Sequence, residues 1–147
     1  MLQYLTAGVL LLLAACGTSP PPGEIDITSR KVTLPDGAAI IAEVKITPQQ
    51  QAYGMMFRTE LPRDRGMLFV NAESQTGPYW MKNCNFPLDI IFMDSARNVV
   101  EIAANAPPCR EDPCPNFGGH ARYQFVLELN GGDAAKHGVK EGSKLGF

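Results

Sequence analysis

The sequence predicts a mainly β fold: a single-domain β-sandwich or a partly open β-barrel, with one or two short helices. The chain has 147 residues, 45% of them hydrophobic, which is enough for one sizeable core. Twelve prolines and fourteen glycines divide it into short segments and leave no room for long helices. The short apolar and alternating runs between these residues are typical of strands.

The first predicted element is a hairpin. Its strands occupy residues 25–34 and 38–46, and Pro35-Asp36-Gly37 joins them. The glycine of this turn can adopt the positive φ that a tight connection needs. We therefore expect the two strands to pair directly.

A short helix is expected after the hairpin. Thr47 is suited to cap its amino terminus, Pro48 to take its first position, and Gln50 to complete a capping box. Gly54 is suited to end the helix.

The rest of the chain predicts more short strands and one further helical turn. The helical turn is predicted to be capped by Asp133 and closed by Gly138, and residues 144–147 are predicted to form an edge strand. Strands at irregular spacing favour a sandwich or a partly open barrel. The remaining predicted strands are residues 66–70, 79–83, 87–93, 98–104 and 122–129.

The amino terminus has the features of a secretory signal. Residues 9–15 read VLLLLAA, an apolar run too short to span a hydrocarbon layer of ~30 Å. Residues 13–17 read LAACG and resemble a bacterial lipobox, in which the cysteine is acylated and the preceding segment is removed. A flexible polar spacer follows. We expect a signal peptide at residues 1–15, a lipidated spacer at 16–24 and the β domain at 25–147.

A lipid anchor at Cys16 would place the protein in the cell envelope, facing the periplasm. The membrane is then its first expected partner. Gly17 at the second mature position is typical of lipoproteins sent to the outer membrane, if the host has two membranes. Nucleic acid is not an expected partner, because the thirteen basic residues are scattered and the net charge is −2.

Cysteine spacing predicts a disulfide. Cys109 and Cys114 enclose four residues of a proline-rich loop, and closing it would stabilise the fold by roughly 2 kcal/mol. The same pair could instead bind zinc with His120 and Cys84, although zinc sites favour a C-x2-C spacing. We expect the disulfide, and neither a metal nor another cofactor.

Methionines suggest a second metal hypothesis. With Cys84, their thioethers are soft ligands suited to Cu(I). Their neighbours are apolar and no Met-x-x-Met tract gathers them, so we expect them to fill the core. The five methionines after the signal segment are Met55, Met56, Met67, Met81 and Met93.

The run at residues 80–92, WMKNCNFPLDIIF, sets polar side chains in a strand that is otherwise apolar. Asp89 stands among residues suited to burial on both faces, and an unpaired buried charge is costly. Lys82, Asn83 or an arginine should therefore meet it, and Arg58 is the expected partner because a guanidinium binds a carboxylate with two parallel bonds.

Five blocks occur in order along the chain: GMMFR at residues 54–58, GMLF at 66–69, the run at 80–92, the Pro-Cys loop PPCREDPCPNFGG at 107–119, and VLELNGG at 126–132. Together they resemble the DUF192 family of uncharacterised bacterial and archaeal proteins. The resemblance covers residues 25–147 and implies a small mainly β domain, often behind a signal peptide, with no established enzymatic activity or cofactor. Met55 stands where leucine is frequent and Cys84 where threonine is frequent, so a role that needs a hydroxyl at position 84 does not carry over.

The polar residues of these blocks form the candidate site. Trp80 adds a flat aromatic surface for a ligand, and alternation along its strand places Glu128 on a solvated side or on a cleft wall. The polar candidates are Arg58, Lys82, Asn83, Asp89 and Glu128.

Three functions remain open. The first is an envelope lipoprotein that binds a small ligand or a partner protein without catalysis. The second is a hydrolase or transferase on envelope polymers, with Asp89 and Glu128 as paired carboxylates and Arg58 or Lys82 stabilising negative charge. That scheme requires both carboxyl groups on one sheet face and within about 10 Å. The third is a structural or assembly lipoprotein, in which these groups form an ion-pair network that anchors loops.

Overall fold

A computed structural model describes residues 28–147, which form one six-stranded sheet and one two-stranded sheet. The predicted signal peptide, Cys16 and the spacer to residue 24 lie outside the described residues. The helices are α1 (Pro48–Tyr53) and α2 (Asp133–Lys136). The strands are β1 (Ser29–Thr33), β2 (Ala39–Lys45), β3 (Arg65–Gln75), β4 (Tyr79–Trp80), β5 (Leu88–Met93), β6 (Val99–Ala106), β7 (Asn116–Phe117) and β8 (Tyr123–Asn130).

The large sheet has the order β1-β2-β3-β8-β5-β6, and β4 pairs with β7 in the small sheet. Only β2 and β3 run parallel among the described strand pairs, and α1 lies in the connection between them. The prediction of a mainly β domain with one or two short helices is confirmed, and the described residues form two.

The carboxyl terminus links the two edges of the large sheet. Thr33, at the end of edge strand β1, bridges Gly146, and Asn98, just before edge strand β6, bridges Lys144. The predicted final strand is thus reduced to two isolated bridges. The two edges of the six-stranded sheet therefore share this segment, although the strands do not close into a barrel.

The large sheet is apolar on both faces, and each face has its own core. On β8, Leu127 and Leu129 belong to the first core, whereas Val126 belongs to the second. The first core is completed by Ala134 of α2 and by Leu145 near the carboxyl terminus. The second core lies under the segments that follow α1 and β4, from which it takes Met55, Met81 and Cys84.

Asp89 anchors the periphery to the middle of the sheet. Every residue of β5 is buried, and the Asp89 side chain is fully enclosed. Its Oδ1 accepts a hydrogen bond from the backbone N–H of Asn105 (2.7 Å), and its Oδ2 accepts one from the N–H of Ala134 (2.8 Å). The carboxylate therefore ties β6 and α2 to β5 by charge-assisted bonds. The predicted partners Lys82, Asn83 and Arg58 were wrong, because backbone donors already meet this carboxylate.

The structure confirms the predicted turn at Gly37 and the predicted cap of α1, but not the predicted cap of α2. Gly37 adopts a φ of 86° in the β1–β2 turn, and Thr47 with Gln50 forms the predicted capping box on α1. Asp133 does not cap α2 but is its first helical residue, since Gly132, with a φ of 90°, takes the N-cap position.

The predicted strand at residues 79–83 is shorter than expected. Tyr79 and Trp80 pair with β7, and Lys82 makes only an isolated bridge to Cys109 before Asn83, with a φ of 56°, turns the chain. The partner strand β7 was not predicted, since two residues leave no periodic signal.

Neither helix among residues 28–147 has the length and apolar character needed to cross a membrane.

Replacing Asp89 with Asn should lower the free energy of unfolding by roughly 3 kcal/mol, because one of the two backbone donors would then face an amide NH2 group. Urea denaturation would measure the change. Asp64→Asn is the matched control: Asp64 is exposed, and among residues 28–147 its side chain meets only Arg65, at 3.7 Å. An Asp89→Asn variant as stable as this control would show that the two bonds do not hold the fold.

Candidate functional site

A pocket of about 320 Å³ opens over the second core. Its walls come from α1 and the turn after it, from the segment between β3 and β4, and from β8. Of the six site residues expected from the sequence, Trp80, Lys82 and Glu128 line this pocket, whereas Arg58, Asn83 and Asp89 do not.

Glu128 lies in the pocket wall and is almost fully buried, with 4% of its surface exposed. It lies on β8 between Met67 of β3 and Ile90 of β5. Its Oε2 has no hydrogen-bond partner among residues 28–147. Burial raises the pKa of this carboxyl to about 8, although the nearby charge of Arg58 acts in the opposite direction. Glu128 is thus a buried acid in the wall of an open cavity, and residues 28–147 leave its Oε2 without a partner.

Aromatic rings form much of the remaining wall. Phe69, Tyr79 and Tyr123 line the pocket, and the Tyr79 ring meets the other two edge to face, at centroid distances of 5.3 Å and 6.2 Å. The Tyr123 hydroxyl donates to the carbonyl of Gly77 (3.0 Å), so it is already engaged. Burial raises the pKa of Tyr79 well above its ordinary value. The aromatic part of the wall is therefore uncharged around physiological pH.

Three exposed aromatic side chains lie at or beside the mouth of the pocket, and we call them the aromatic rim: Tyr53, Phe57 and Trp80. They are 57%, 60% and 48% exposed, and the rings of Tyr53 and Phe57 are 6.0 Å apart. Tyr53 and Trp80 line the cavity directly. Clustered exposed apolar side chains are typical of interaction sites.

Lys82 is held beside the rim by two contacts. Its Nζ donates to Oδ2 of Asp112 at 2.6 Å and lies 5.5 Å from the centre of the Trp80 ring. This ammonium group is therefore paired with a carboxylate of the Pro-Cys loop.

Asn83 supports the pocket instead of lining it. Its backbone N–H donates to the carbonyl of Cys109 (2.7 Å), and its carbonyl accepts from the N–H of Phe57 (2.8 Å). Cys109 is joined to Cys114 by the predicted disulfide. The Pro-Cys loop thus holds Asn83, and Asn83 holds the rim residue Phe57.

Arg58 pairs with Glu43 and not with Asp89. Its two terminal nitrogens donate to the two carboxylate oxygens of Glu43 at 2.6 Å and 2.7 Å. The guanidinium lowers the pKa of Glu43 to about 2, with help from Lys45. Arg58 makes the predicted bidentate contact with a carboxylate, but the carboxylate belongs to Glu43 and not to Asp89. Alternation along β2 could have indicated Glu43, since Ala42 before it faces the first core.

The paired-carboxylate scheme is wrong. Asp89 pairs in register with Leu129 and is bonded to α2, on the face of the first core. Glu128 pairs with Ile90, whose side chain lies in the second core. Since residues in register point to the same face, the two carboxyl groups lie on opposite faces of the sheet. They cannot act on one bond.

Cys84 is a free thiol that lines the pocket and is 5% exposed. Burial, together with the charge of Glu128, raises its pKa to about 12. It is therefore almost entirely protonated at neutral pH and is a poor nucleophile.

The zinc hypothesis fails because the disulfide occupies Cys109 and Cys114. His120 is paired with Glu101 at 2.6 Å. Within the described part of the chain, no group of three His, Cys, Asp or Glu residues could hold a metal ion. Three of the five methionines, Met55, Met67 and Met81, are packed in the second core.

Several pocket residues were not found from the sequence. Tyr53, Tyr79 and Tyr123 are far apart in the chain, and no local pattern joins them. Alternation along the strand predicts Glu128 on a solvated side or on a cleft wall, and in the structure it lies in the cleft wall.

Replacing Glu128 with Gln should change the pH dependence of stability. The carboxyl titrates near 4.5 in the unfolded chain and near 8 in the fold, so between these values the folded state binds more protons. The stability of the wild type therefore falls as the pH rises from 4.5 to 8, whereas glutamine has no such loss. The difference between the two proteins should grow in this window to on the order of a few kcal/mol.

Denaturant titrations at pH 5, 6, 7 and 8 would measure this difference, with Glu73→Gln at an exposed position as the control. A difference that stays constant with pH would contradict the raised pKa.

Known proteins resemble this chain over most of its length. The DUF192 family profile, described as an uncharacterized ACR, matches residues 31–147. A crystallised protein of unknown function from Novosphingobium aromaticivorans is 39% identical, with a TM-score of 0.68, over 80% of this chain and 82% of that one. A crystallised candidate transcription regulator from Sinorhizobium meliloti is 30% identical, with a TM-score of 0.69, over 79% of this chain and 89% of that one. No functionally curated protein matches the chain.

The five sequence blocks, the mainly β fold and the profile match agree with one another, and the chain belongs to the DUF192 family.

Proposed function

We propose that this protein is an envelope lipoprotein whose β domain binds a small organic ligand without transforming it. The observation that carries the proposal is the buried Oε2 of Glu128, which has no partner among residues 28–147 and belongs to a residue that lines the 320 Å³ pocket.

Energetics favour a ligand at this point. An unmet buried polar atom destabilises a fold by about 1–3 kcal/mol, and more if the group is charged. The fold retains Glu128 although its own cations are engaged elsewhere: Arg58 with Glu43, and Lys82 with Asp112. A bound molecule with a hydrogen-bond donor would remove this penalty. Ligand pockets commonly combine aromatic walls with a few such polar groups.

The chemistry of the pocket favours binding over catalysis. The pocket contains the carboxyl group of Glu128, but the carboxyl group of Asp89 lies on the opposite face of the sheet. The thiol in the pocket wall, Cys84, has a pKa of about 12. An acid–base pair or an activated nucleophile would need a different arrangement. The name of the Sinorhizobium meliloti relative does not lead us to propose DNA binding here, since the chain has a net charge of −2.

The envelope location is proposed from the lipobox-like sequence around Cys16. Residues 1–15 would be removed, Cys16 acylated, and residues 16–24 would connect the lipid to the domain. The disulfide between Cys109 and Cys114 supports an oxidising compartment such as the periplasm. A protein partner in the envelope, in place of a small ligand, is the alternative for the same surface.

Binding can be tested with a fragment screen on the full chain by saturation-transfer NMR, followed by titration of the hits. Trp80→Ala should weaken pocket ligands at least tenfold, because it removes the flat surface at the mouth. Ile46→Ala is the matched control, since Ile46 is 55% exposed and outside this pocket. A screen with no hit sensitive to Trp80→Ala would refute the binding proposal and favour a structural or assembly role.

The anchor can be tested separately. Cys16→Ser should abolish incorporation of labelled fatty acid and move the protein from the membrane fraction to the soluble fraction or leave its precursor uncleaved. Cys84→Ser should leave acylation unchanged, because this thiol is buried. Fatty-acid labelling of the Cys16→Ser variant would rule out the lipobox assignment.

A further inference from the structure

We propose that the ligand is a protonated amine carried on a ring or another flat apolar body, with its ammonium group against Glu128 and its body against the aromatic rim. This inference rests on the proposed binding function and assigns the chemical class of the ligand.

The part of the pocket at Glu128 favours a ligand that donates hydrogen bonds. An ionised carboxylate only accepts hydrogen bonds, and Oε2 of Glu128 receives none from residues 28–147. An ammonium group brings three donors and a positive charge to this atom. Once the Glu128 carboxyl has lost its proton, an ammonium group therefore supplies both the missing hydrogen bond and the counter-charge. A neutral alcohol would supply only the first.

The walls beside Glu128 also suit a cation. Phe69, Tyr79 and Tyr123 present rings in the same cavity, and the electron-rich face of an aromatic ring attracts a cation. Since the Tyr123 hydroxyl is bonded to Gly77, its ring is the part left for a ligand. An acidic ligand would gain nothing from these faces, and at pH 8 and above it would be repelled by the ionised carboxylate.

The protein's own cations do not take the ammonium position. Arg58 is near enough for its charge to lower the pKa of Glu128, yet both of its terminal nitrogens are bonded to Glu43. Lys82 is held between Asp112 and the ring of Trp80, at the outer wall. The inner end of the pocket thus keeps an acceptor that residues 28–147 leave unmet.

The rim defines the rest of the ligand. Tyr53 and Trp80 are about half exposed where they border the cavity, and Phe57 extends the surface next to Tyr53. Three aromatic faces at the opening suit a flat or ring-shaped body that stacks on them. A ligand that spans from Glu128 to Trp80 would contact both ends of the pocket.

Binding of an amine should be linked to loss of a proton. Arg58, Tyr79 and Cys84 interact electrostatically with Glu128, and Lys82 and Tyr123 are the other titratable groups that line the pocket with them, besides Tyr53. In the unliganded protein the pKa of Glu128 is about 8, so a cation must displace its proton at neutral pH. Affinity should rise nearly tenfold from pH 6 to pH 7 and level off above pH 8, until the amine itself loses its proton near pH ~10.

Three probes of similar size test the inference: 2-phenylethylamine, 2-phenylethanol and phenylacetate. Each is titrated calorimetrically into the full chain at pH 6, 7 and 8, and in two buffers of different ionisation enthalpy to count released protons. We expect the amine to bind at least tenfold more tightly than the alcohol at pH 8, to show the stated rise with pH, and to release close to one proton at pH 7. Phenylacetate should bind more weakly than the amine, and most weakly at pH 8, where the largest fraction of Glu128 is ionised.

Two variants complete the test. Glu128→Gln should remove the preference for the amine and the pH dependence, whereas Glu73→Gln, at an exposed position outside the pocket, should keep both. If Glu128→Gln fails to fold, proton release by the wild type still decides the question.

The outcomes separate the two proposals. Equal or tighter Trp80-dependent binding of the alcohol or of phenylacetate would overturn the amine assignment and leave the binding function in place. Amine binding without proton release at pH 7 would also overturn it. Failure of all three probes to bind would overturn the amine assignment. The proposed binding function would be refuted only by a negative result in the broader fragment screen.

Discussion

A sheet covered on both faces can hold a carboxylate only if that group finds partners inside the protein, and this constraint shapes the whole domain. Asp89 satisfies it with two backbone donors, from Asn105 and Ala134. These bonds fix the end of β6 and the start of α2 against β5. Helix α2 then contributes Ala134 to the first core, so the burial of this face and the pairing of Asp89 depend on each other.

Glu128 lies on the other face and does not satisfy the same constraint. Its neighbours on β3 and β5, Met67 and Ile90, are fully buried and apolar, yet its Oε2 is unmet among residues 28–147. The difference is the pocket, which opens the second core beside this one side chain. The two carboxyl groups of the family blocks therefore differ: Asp89 ties β6 and α2 to β5, whereas Oε2 of Glu128 is left unmet beside the pocket where we propose that a ligand binds.

The pocket depends on a chain of loop contacts. The disulfide between Cys109 and Cys114 closes the Pro-Cys loop, Cys109 bonds Asn83, and Asn83 bonds the rim residue Phe57. The same loop carries Asp112, which holds Lys82 over Trp80. Positive φ angles at Phe57 (64°) and Asn83 (56°) show how closely these turns are constrained. The run that contains Trp80, Lys82 and Asn83 thus builds one wall of the pocket as a unit.

The sequence by itself determined the mainly β class, the β1–β2 hairpin turn, the capping box of α1, the disulfide and the family, because each depends on neighbouring residues or on ordered motifs. It also indicated that Asp89 and Glu128 were unusual. Only the tertiary structure decided their partners and faces, the pairing of Arg58 with Glu43, and the gathering of Tyr53, Tyr79 and Tyr123 around one cavity. The physical reason is that strand pairing and the second layer bring together residues far apart in the chain, such as Tyr53 and Glu128, which are 75 positions apart, and local periodicity carries no information about such contacts.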